Sequence, residues 1–249
     1  MHLFRSRKTP AILEGFPEMT RIAPLAMALL LLAGPAIADD SAPPEIASVQ
    51  SDFAWTPKDG DEIAFDVLRK GKPFGSHSVT FKVAPDGTLT ATTDVRLKAG
   101  LGPITLFHYA LDASETWKDG ALVALKGAVD DDGKDGSVTA RADGEALAVA
   151  GTEYSGQVSR DILPASHWNV AQTRATELLS TEDGEIIKVK VSDKGQDTVM
   201  VAGKRVEATR YLMDSDIDVD LWYDAEGRWV KLAFVARGQQ IDYVLARPY

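Results

Sequence analysis

Cysteine is absent from this 249-residue chain. Disulfide bonds, thiolate metal sites and cysteine nucleophiles are therefore excluded, and the folded protein must be stabilised by its core. A lipid-accepting cysteine behind a signal sequence is excluded as well. We therefore expect a cysteine-free protein that carries no lipid anchor and is soluble.

Basic residues are fewer than acidic ones, with 27 Lys and Arg against 37 Asp and Glu and a formal net charge of −10. Phosphate recognition requires a basic surface, so this acidic chain is not expected to bind nucleic acid. An anionic membrane surface is disfavoured for the same reason.

Long apolar runs are scarce, and the clearest one is Ile22–Leu32, which follows Arg21. Together with a small-residue cleavage site at residues 36–38, it is typical of a secretory signal peptide covering residues 1–38. Acidic residues upstream are unusual in such a signal, which makes Met19 an alternative start. The run is too short for a good membrane span. We expect a secreted, periplasmic protein with no stable membrane span after cleavage.

Residues 39–60 are rich in Ser, Pro and Ala and are predicted to form a flexible N-terminal arm. From residue 61 the chain alternates apolar and polar positions in short segments separated by Asp-Gly or Gly turns, for example at Asp86-Gly87. This rhythm is typical of an antiparallel all-β domain. We predict one mainly β domain over residues 61–249, a single twisted or partly closed antiparallel sheet with one or two short helices.

The segment Leu163–Thr176 interrupts this pattern and predicts a short helix over His167–Arg174, capped by Ser166. In this interpretation Trp168 packs onto the sheet, while His167 and Asn169 bind backbone groups of the loop.

The stretch Ile217–Arg237 predicts a β-hairpin with a turn at Asp224–Gly227. If Tyr223 faces Arg228, one face is wholly apolar and belongs to the core. The other face then places Trp222 opposite Trp229 and Asp220 opposite Lys231. That face is either a reinforced outer surface or the wall of a pocket closed by the Trp168 segment.

Two motifs, DILPASHWN at residues 161–169 and DLWYDAEGRWVKLAFVARG at residues 220–238, resemble a family of uncharacterised exported bacterial proteins, domain of unknown function 6134. The resemblance spans nearly all of residues 39–249. More distantly, the second half is similar to another periplasmic family, through Asp161 with Ser166, Gly184, and Trp222 with Asp224. That family is thought to share the strongly curved, open half-barrel of lipoprotein carriers. The resemblance implies a periplasmic setting and a half-barrel, and it brings no catalytic residue.

Metal and cofactor chemistry find no support in the sequence. The histidines after the signal, His77, His108 and His167, form neither His-x-His nor His-x-x-x-His spacing, and no metal or cofactor is predicted. Ser166-His167 suggests a hydrolase, yet adjacent residues on a helix do not face each other, so no catalytic residue is assigned.

Aromatic and charged residues of the hairpin, the preceding strand and the SHWN segment are the candidate ligand-binding residues. They are His167, Trp168, Asn169, Arg210, Tyr211, Asp220, Trp222, Trp229 and Lys231.

Three functions stay open. The first is non-enzymatic binding of a lipid or other apolar small molecule in the curved sheet. The second is binding of an envelope protein, or envelope assembly, by strand addition at an exposed sheet edge. The third is a hydrolase centred on His167. The residues favour a non-enzymatic role.

Overall fold

The computed structural model describes residues 55–101, 104–236, 238–247 and 249. The predicted signal peptide and most of the predicted arm lie outside these residues. Within these residues, thirteen strands form one large sheet, and three short strands form a second. In chain order the strands are β1 (Glu62–Arg69), β2 (Lys72–Val83), β3 (Leu89–Leu101), β4 (Ile104–Lys118), β5 (Ala121–Asp131), β6 (Lys134–Asp143), β7 (Ala146–Gly151), β8 (Ser155–Ser159), β9 (Leu163–Pro164), β10 (Glu177–Leu179), β11 (Ile186–Lys188), β12 (Lys190–Val201), β13 (Lys204–Asp214), β14 (Val219–Asp224), β15 (Trp229–Ala236) and β16 (Gln239–Leu245).

The large sheet is antiparallel throughout and is built from two runs of hairpins. Its order is β12-β13-β14-β15-β16-β1-β2-β3-β4-β5-β6-β7-β8. The pairing of β16 with β1 joins the two runs. In the described part of the chain β8 and β12 are the two edges and do not pair, so the sheet is not closed. The predicted fold class, a single mainly β antiparallel sheet, is confirmed.

Strand β1 shows why the sequence forms this sheet. Ile63, Phe65 and Val67 occupy alternate positions between less buried residues, and all three are at most 1% exposed on the core face. The strand ends at Arg69, and Lys70 and Gly71, with φ angles of 50° and 72°, then turn the chain into β2. Alternation and turn residues of this kind are the features from which the all-β domain was predicted.

The part of the sequence that connects β8 to β12 crosses the inner face of the sheet. This crossing segment, residues 160–189, contains the small sheet, in the order β11-β10-β9, and a 3-10 helix at Val170–Arg174. Strands β2, β3, β4, β15 and β16 all contribute residues to one cavity beside the segment, which requires the large sheet to curve around it.

The predicted helix is shorter than expected, and Ser166 is not its cap. Asn169 caps the helix, and its side chain accepts a hydrogen bond from the Ala171 N–H at 3.0 Å. His167 has a φ of 65°, in the left-handed region, and cannot belong to a right-handed helix. Ser166 is instead buried, 5% exposed, beside the carboxylate of Glu115.

The predicted register of the β14–β15 hairpin is wrong, although its turn is confirmed, with Gly227 at a φ of 84°. Trp222 faces Lys231, and Tyr223 faces Trp229, because a bulge interrupts the ladder between Trp222 and Tyr223. Asp220 faces Ala233. Trp222 therefore points to the outer face and Trp229 to the inner face.

The crossing segment lies unusually close to the sheet at two glycines. A Cβ on Gly127 would meet the Thr181 carbonyl oxygen at 1.8 Å, and one on Gly151 would meet the Asp183 carbonyl oxygen at 2.2 Å. Both contacts are shorter than van der Waals distance, so only glycine lets the backbone of Thr181–Asp183 rest on β5 and β7.

Substituting Gly127 with alanine should displace this backbone and destabilise the protein by about 1–3 kcal/mol, the usual cost of overpacking. Urea unfolding followed by circular dichroism measures the loss. Gly87→Asn is the matched control, because Gly87 has open space around it and asparagine tolerates its φ of 80°. An equal loss in both variants would contradict the close packing.

Candidate ligand-binding site

A cavity of about 280 Å³ lies between the small sheet and the β13–β14 connection. We call it the outer cavity. Most of its wall is aliphatic, and five polar residues complete it. The aliphatic residues are Ala165, Leu178, Ile186, Ile187, Val189, Met213, Ile217 and Val219; the polar ones are His167, Glu185, Lys188, Ser215 and Asp216. Such a wall suits an apolar molecule with a few polar groups for orientation.

A second, smaller cavity of about 50 Å³ lies deeper, under the crossing segment. We call it the inner cavity. It combines apolar strand residues with an unusual number of buried polar ones. Its wall consists of His77, Val95, Leu97, Tyr109, Leu111, Ala165, His167, Ser180, Thr181, Glu182, Leu232, Phe234 and Tyr243.

His167 and Ala165 belong to the walls of both cavities. The His167 ring is held by Gln172, with 3.1 Å between Nδ1 and the side-chain oxygen. The backbone carbonyl oxygen of His167 accepts a hydrogen bond from the Tyr223 hydroxyl at 2.8 Å, and the Gln172 amide donates to that hydroxyl at 2.6 Å. Burial lowers the pKa of His167 to about 4, so the ring is neutral at physiological pH.

His77 lies on the inner face of β2, with its ring among the aromatic rings of Phe65, Trp229 and Tyr243. It is 7% exposed, and Nε2 has no hydrogen-bond partner among the described residues. Burial, together with a smaller effect of nearby His167, lowers its pKa to about 3, so this ring is also neutral.

A hydrogen bond ties the polar part of the crossing segment to the sheet, because the Tyr109 hydroxyl donates to Glu182 at 2.8 Å. Within the segment, the Ser180 hydroxyl oxygen accepts from the Glu182 N–H at 3.2 Å. Glu182 is 4% exposed. Burial, followed by the charge of Glu182, raises the pKa of Tyr109, which therefore remains a donor.

Glu115 anchors the SHWN motif. Its Oε2 accepts hydrogen bonds from the indole N–H groups of Trp117 and Trp168, both at 3.0 Å. Burial raises the pKa of Glu115, while Ser166, Trp168 and Trp117 oppose that rise. The Ser166 hydroxyl lies near this carboxylate without a hydrogen bond of normal geometry. The expectation that Trp168 packs onto the sheet agrees with its contacts to Phe81 and Trp117.

The nine residues predicted to bind a ligand fall into two groups. Arg210, Asp220, Trp222 and Lys231 form a cluster on the outer face. Arg210 binds Asp220 through two hydrogen bonds of 2.8 and 2.9 Å, and Lys231 Nζ lies 4.3 Å from the centre of the Trp222 ring. Neither cavity includes these four residues.

The other five lie on the inner side of the sheet or in the crossing segment: His167, Trp168, Asn169, Tyr211 and Trp229. His167 alone among them lines a cavity. Trp229 is fully buried, with its ring centre 5.8 Å from that of His167. Tyr211 packs against Tyr223 at 6.1 Å.

Sequence reasoning missed most of the cavity walls. A signal for His77 was available, because the residue shares the core face of β2 with Val79 and Phe81. No such signal existed for Glu182, which stands in the polar stretch Ser180–Glu185 and resembles a solvated loop.

The arrangement around His167 does not form a hydrolytic pair. Ser166 Oγ has no hydrogen-bond partner among the described residues, and the hydrogen bond of the His167 ring goes to an amide rather than a carboxylate. Nucleophilic catalysis requires a contact between nucleophile and base, with the base oriented by a third group. Within the described residues no group of three or more His, Asp or Glu side chains could hold a metal ion.

A family model described as a domain of unknown function, DUF6134, matches residues 65–246, a range that includes both cavities. The chain belongs to this family. The family prediction made from the two motifs is therefore confirmed.

A comparison with solved structures also found a similarity. A crystal structure of a β-barrel-like protein of domain of unknown function DUF1849 from Brucella abortus is 11% identical, with a TM-score of 0.49. The match covers 75% of this chain and 95% of that one. No curated protein matched. In the part of the chain that the structure describes, no helix has the length and apolarity needed to cross a membrane.

Replacing Glu115 with leucine should remove the acceptor of two buried indole N–H groups and destabilise the protein by about 2 kcal/mol or more. Glu115→Gln, which keeps an acceptor oxygen, should lose less than half as much. Urea unfolding followed by circular dichroism compares the two. Equal losses would mean that the indole hydrogen bonds do not stabilise the SHWN segment.

The buried histidines predict a loss of stability in mild acid. Because the folded-state pKa of His77 is about 3, below its ordinary 6.5, the unfolded chain takes up the proton first as pH falls below 6.5. This loss should approach about 1.4 kcal/mol per pH unit for His77 below pH 6. His77→Phe should lose less stability than the wild type between pH 7.5 and 5 in urea unfolding.

His108→Phe is the control for this comparison. His108 is half-buried, and its hydrogen bond to Asp130 raises its pKa, so its removal should make the acid loss steeper rather than shallower. Parallel pH profiles for the wild type and His77→Phe would contradict a neutral, buried His77.

Proposed function

We propose that this protein is exported to the periplasm and there binds an apolar or amphipathic small molecule in the outer cavity, without catalysing a reaction on it. The observation that carries the proposal is the outer cavity itself, about 280 Å³ in volume and lined mainly by aliphatic side chains. Ligand pockets typically begin at about 300 Å³, so the volume suits a small molecule or one hydrocarbon chain.

The polar residues of the outer cavity support an amphipathic ligand. Lys188 and Asp216 are exposed, and Glu185 and Ser215 are half-buried, whereas Met213, Ile217 and Val219 are buried. The cavity therefore has an apolar interior and a polar rim, an arrangement that desolvates an apolar body and fixes its orientation.

Export is supported by the signal-like segment at residues 1–38 and by the absence of cysteine. A non-enzymatic role is supported by the environment of His167, which is buried, neutral and bound to an amide.

Strand addition at the open edges receives less support. Edge strand β12 carries Lys190, Asp193 and Lys194, and a bulge lies between Asp193 and Gln196. Charged residues and bulges are the devices that protect a sheet edge from pairing with another chain. The other edge, β8, has only five residues.

Protein purified under native conditions should carry a bound apolar molecule that native mass spectrometry detects. Ile187→Trp should fill the outer cavity and weaken binding by about tenfold or more, since overpacking typically costs about 1–3 kcal/mol. After delipidation, the wild type should recapture the same molecule from a lipid extract.

Met200→Trp is the matched control, because Met200 is 55% exposed and lies outside the cavity wall. It should bind as the wild type does. If no molecule is bound after purification and lipid extract leaves the tryptophan emission of the delipidated wild type unchanged, the proposed function is wrong.

A further inference from the structure

A side chain in the wall of the inner cavity has a buried polar atom without a hydrogen-bond partner among the described residues. His77 is 7% exposed, lines the cavity, and its Nε2 makes no hydrogen bond to any described residue. Buried polar groups are nearly always hydrogen-bonded in folded proteins, and leaving one unpaired costs free energy. This atom therefore indicates that the cavity receives a group able to hydrogen-bond.

The size of the inner cavity limits that group. A water molecule needs about 10–15 Å³ of cavity volume, so a cavity of about 50 Å³ holds only a few heavy atoms. A hydroxyl with its carbon fits this space. A phosphate ester or a sugar does not.

The polar side chains of the inner cavity select against an anion. None of the described residues lining it is lysine or arginine, and burial keeps His77 and His167 neutral. Glu182 adds a buried carboxyl group, which already accepts a hydrogen bond from Tyr109. A carboxylate or phosphate would enter without a positive partner, at a high desolvation cost.

A hydroxyl matches His77 better than the other neutral groups. A neutral imidazole presents Nε2 either as a donor or as an acceptor, depending on its tautomer. A hydroxyl can donate and accept, so it satisfies either form, whereas a carbonyl or ether oxygen satisfies only one.

The shared wall links the inner cavity to the proposed ligand. Because Ala165 and His167 line both cavities, the two cavities are neighbours, and a molecule whose apolar body fills the outer cavity has only these two side chains to pass to enter the inner one. Its far end then reaches the space beside His77.

We infer that the inner cavity holds the hydroxyl end of the bound ligand, with His77 Nε2 as its hydrogen-bond partner, and that the ligand is a neutral apolar alcohol rather than a fatty acid. This inference rests on the proposed function and names the class of molecule that the same site takes.

Binding of four probes of equal chain length to delipidated protein tests the inference: n-octane, 1-octanol, 1-octylamine and octanoate, by titration calorimetry at pH 7.5. His77→Phe should weaken the binding of 1-octanol by about three- to tenfold, the usual effect of one hydrogen bond. It should change the affinity for n-octane by less than twofold. Octanoate should bind the wild type at least about tenfold more weakly than 1-octanol, since its charge would be buried unpaired.

His108→Phe is the matched control, because it makes the same substitution at a half-buried histidine outside both cavities. It should leave all four affinities unchanged. The inference is overturned, while the proposed function stands, if His77→Phe weakens the binding of n-octane and 1-octanol equally or weakens the binding of neither. The same holds if octanoate or 1-octylamine binds the wild type best. If no probe binds and lipid extract also leaves the protein empty, the proposed function fails.

A crystal structure of the wild type with 1-octanol serves if His77→Phe does not fold. A hydroxyl oxygen within about 3.2 Å of His77 Nε2 supports the inference. Water in the inner cavity, with the hydroxyl at the rim of the outer one, overturns it.

Discussion

An open, curved sheet buries one of its faces only if something covers that face, and the crossing segment between β8 and β12 does so here. Its backbone rests directly on glycines of the sheet, with no room for a Cβ at Gly127 or Gly151. The covering residues Thr181, Glu182 and Asp183 are polar, yet each is at most 4% exposed. A polar segment thus covers the inner face of the sheet, and it places polar groups in an otherwise apolar interior.

A polar cover on an apolar face requires partners for every buried donor and acceptor. Strand residues supply many of them: Tyr109 binds Glu182, Glu115 binds Trp168, and Tyr223 binds the His167 carbonyl. These contacts fix the crossing segment at separated points and leave space between them. Both cavities lie beside this cover, and His77, whose Nε2 has no hydrogen-bond partner among the described residues, lines the smaller one. The candidate site is therefore a consequence of how the sheet is covered.

Local patterns predicted the strands, because alternation and turn residues act within a few positions, as in the β1–β2 hairpin. They did not predict the β14–β15 register, because the bulge after Trp222 depends on distant contacts. The Tyr223 hydroxyl binds a carbonyl 56 positions away in the chain, which holds Tyr223 on the inner face. The cap of the 3-10 helix was missed for a similar reason, since Ser166 is buried beside Glu115. Contacts between the segment and the sheet cannot be deduced from spacing alone.

The bulge also separates the two tryptophans of the hairpin into different environments. Trp222 has its indole N–H bonded to Asp197 at 2.8 Å, and Arg210 and Lys231 lie over its ring at 5.5 and 4.3 Å. An aromatic ring with its polar group bonded and cations over it has little surface left for a ligand, which favours a structural role. Trp229 is also fully buried, but it packs against both His77 and His167. Its position makes the aromatic packing of the core continuous with the cavity walls, so any ligand that moves His167 also changes the surroundings of Trp229.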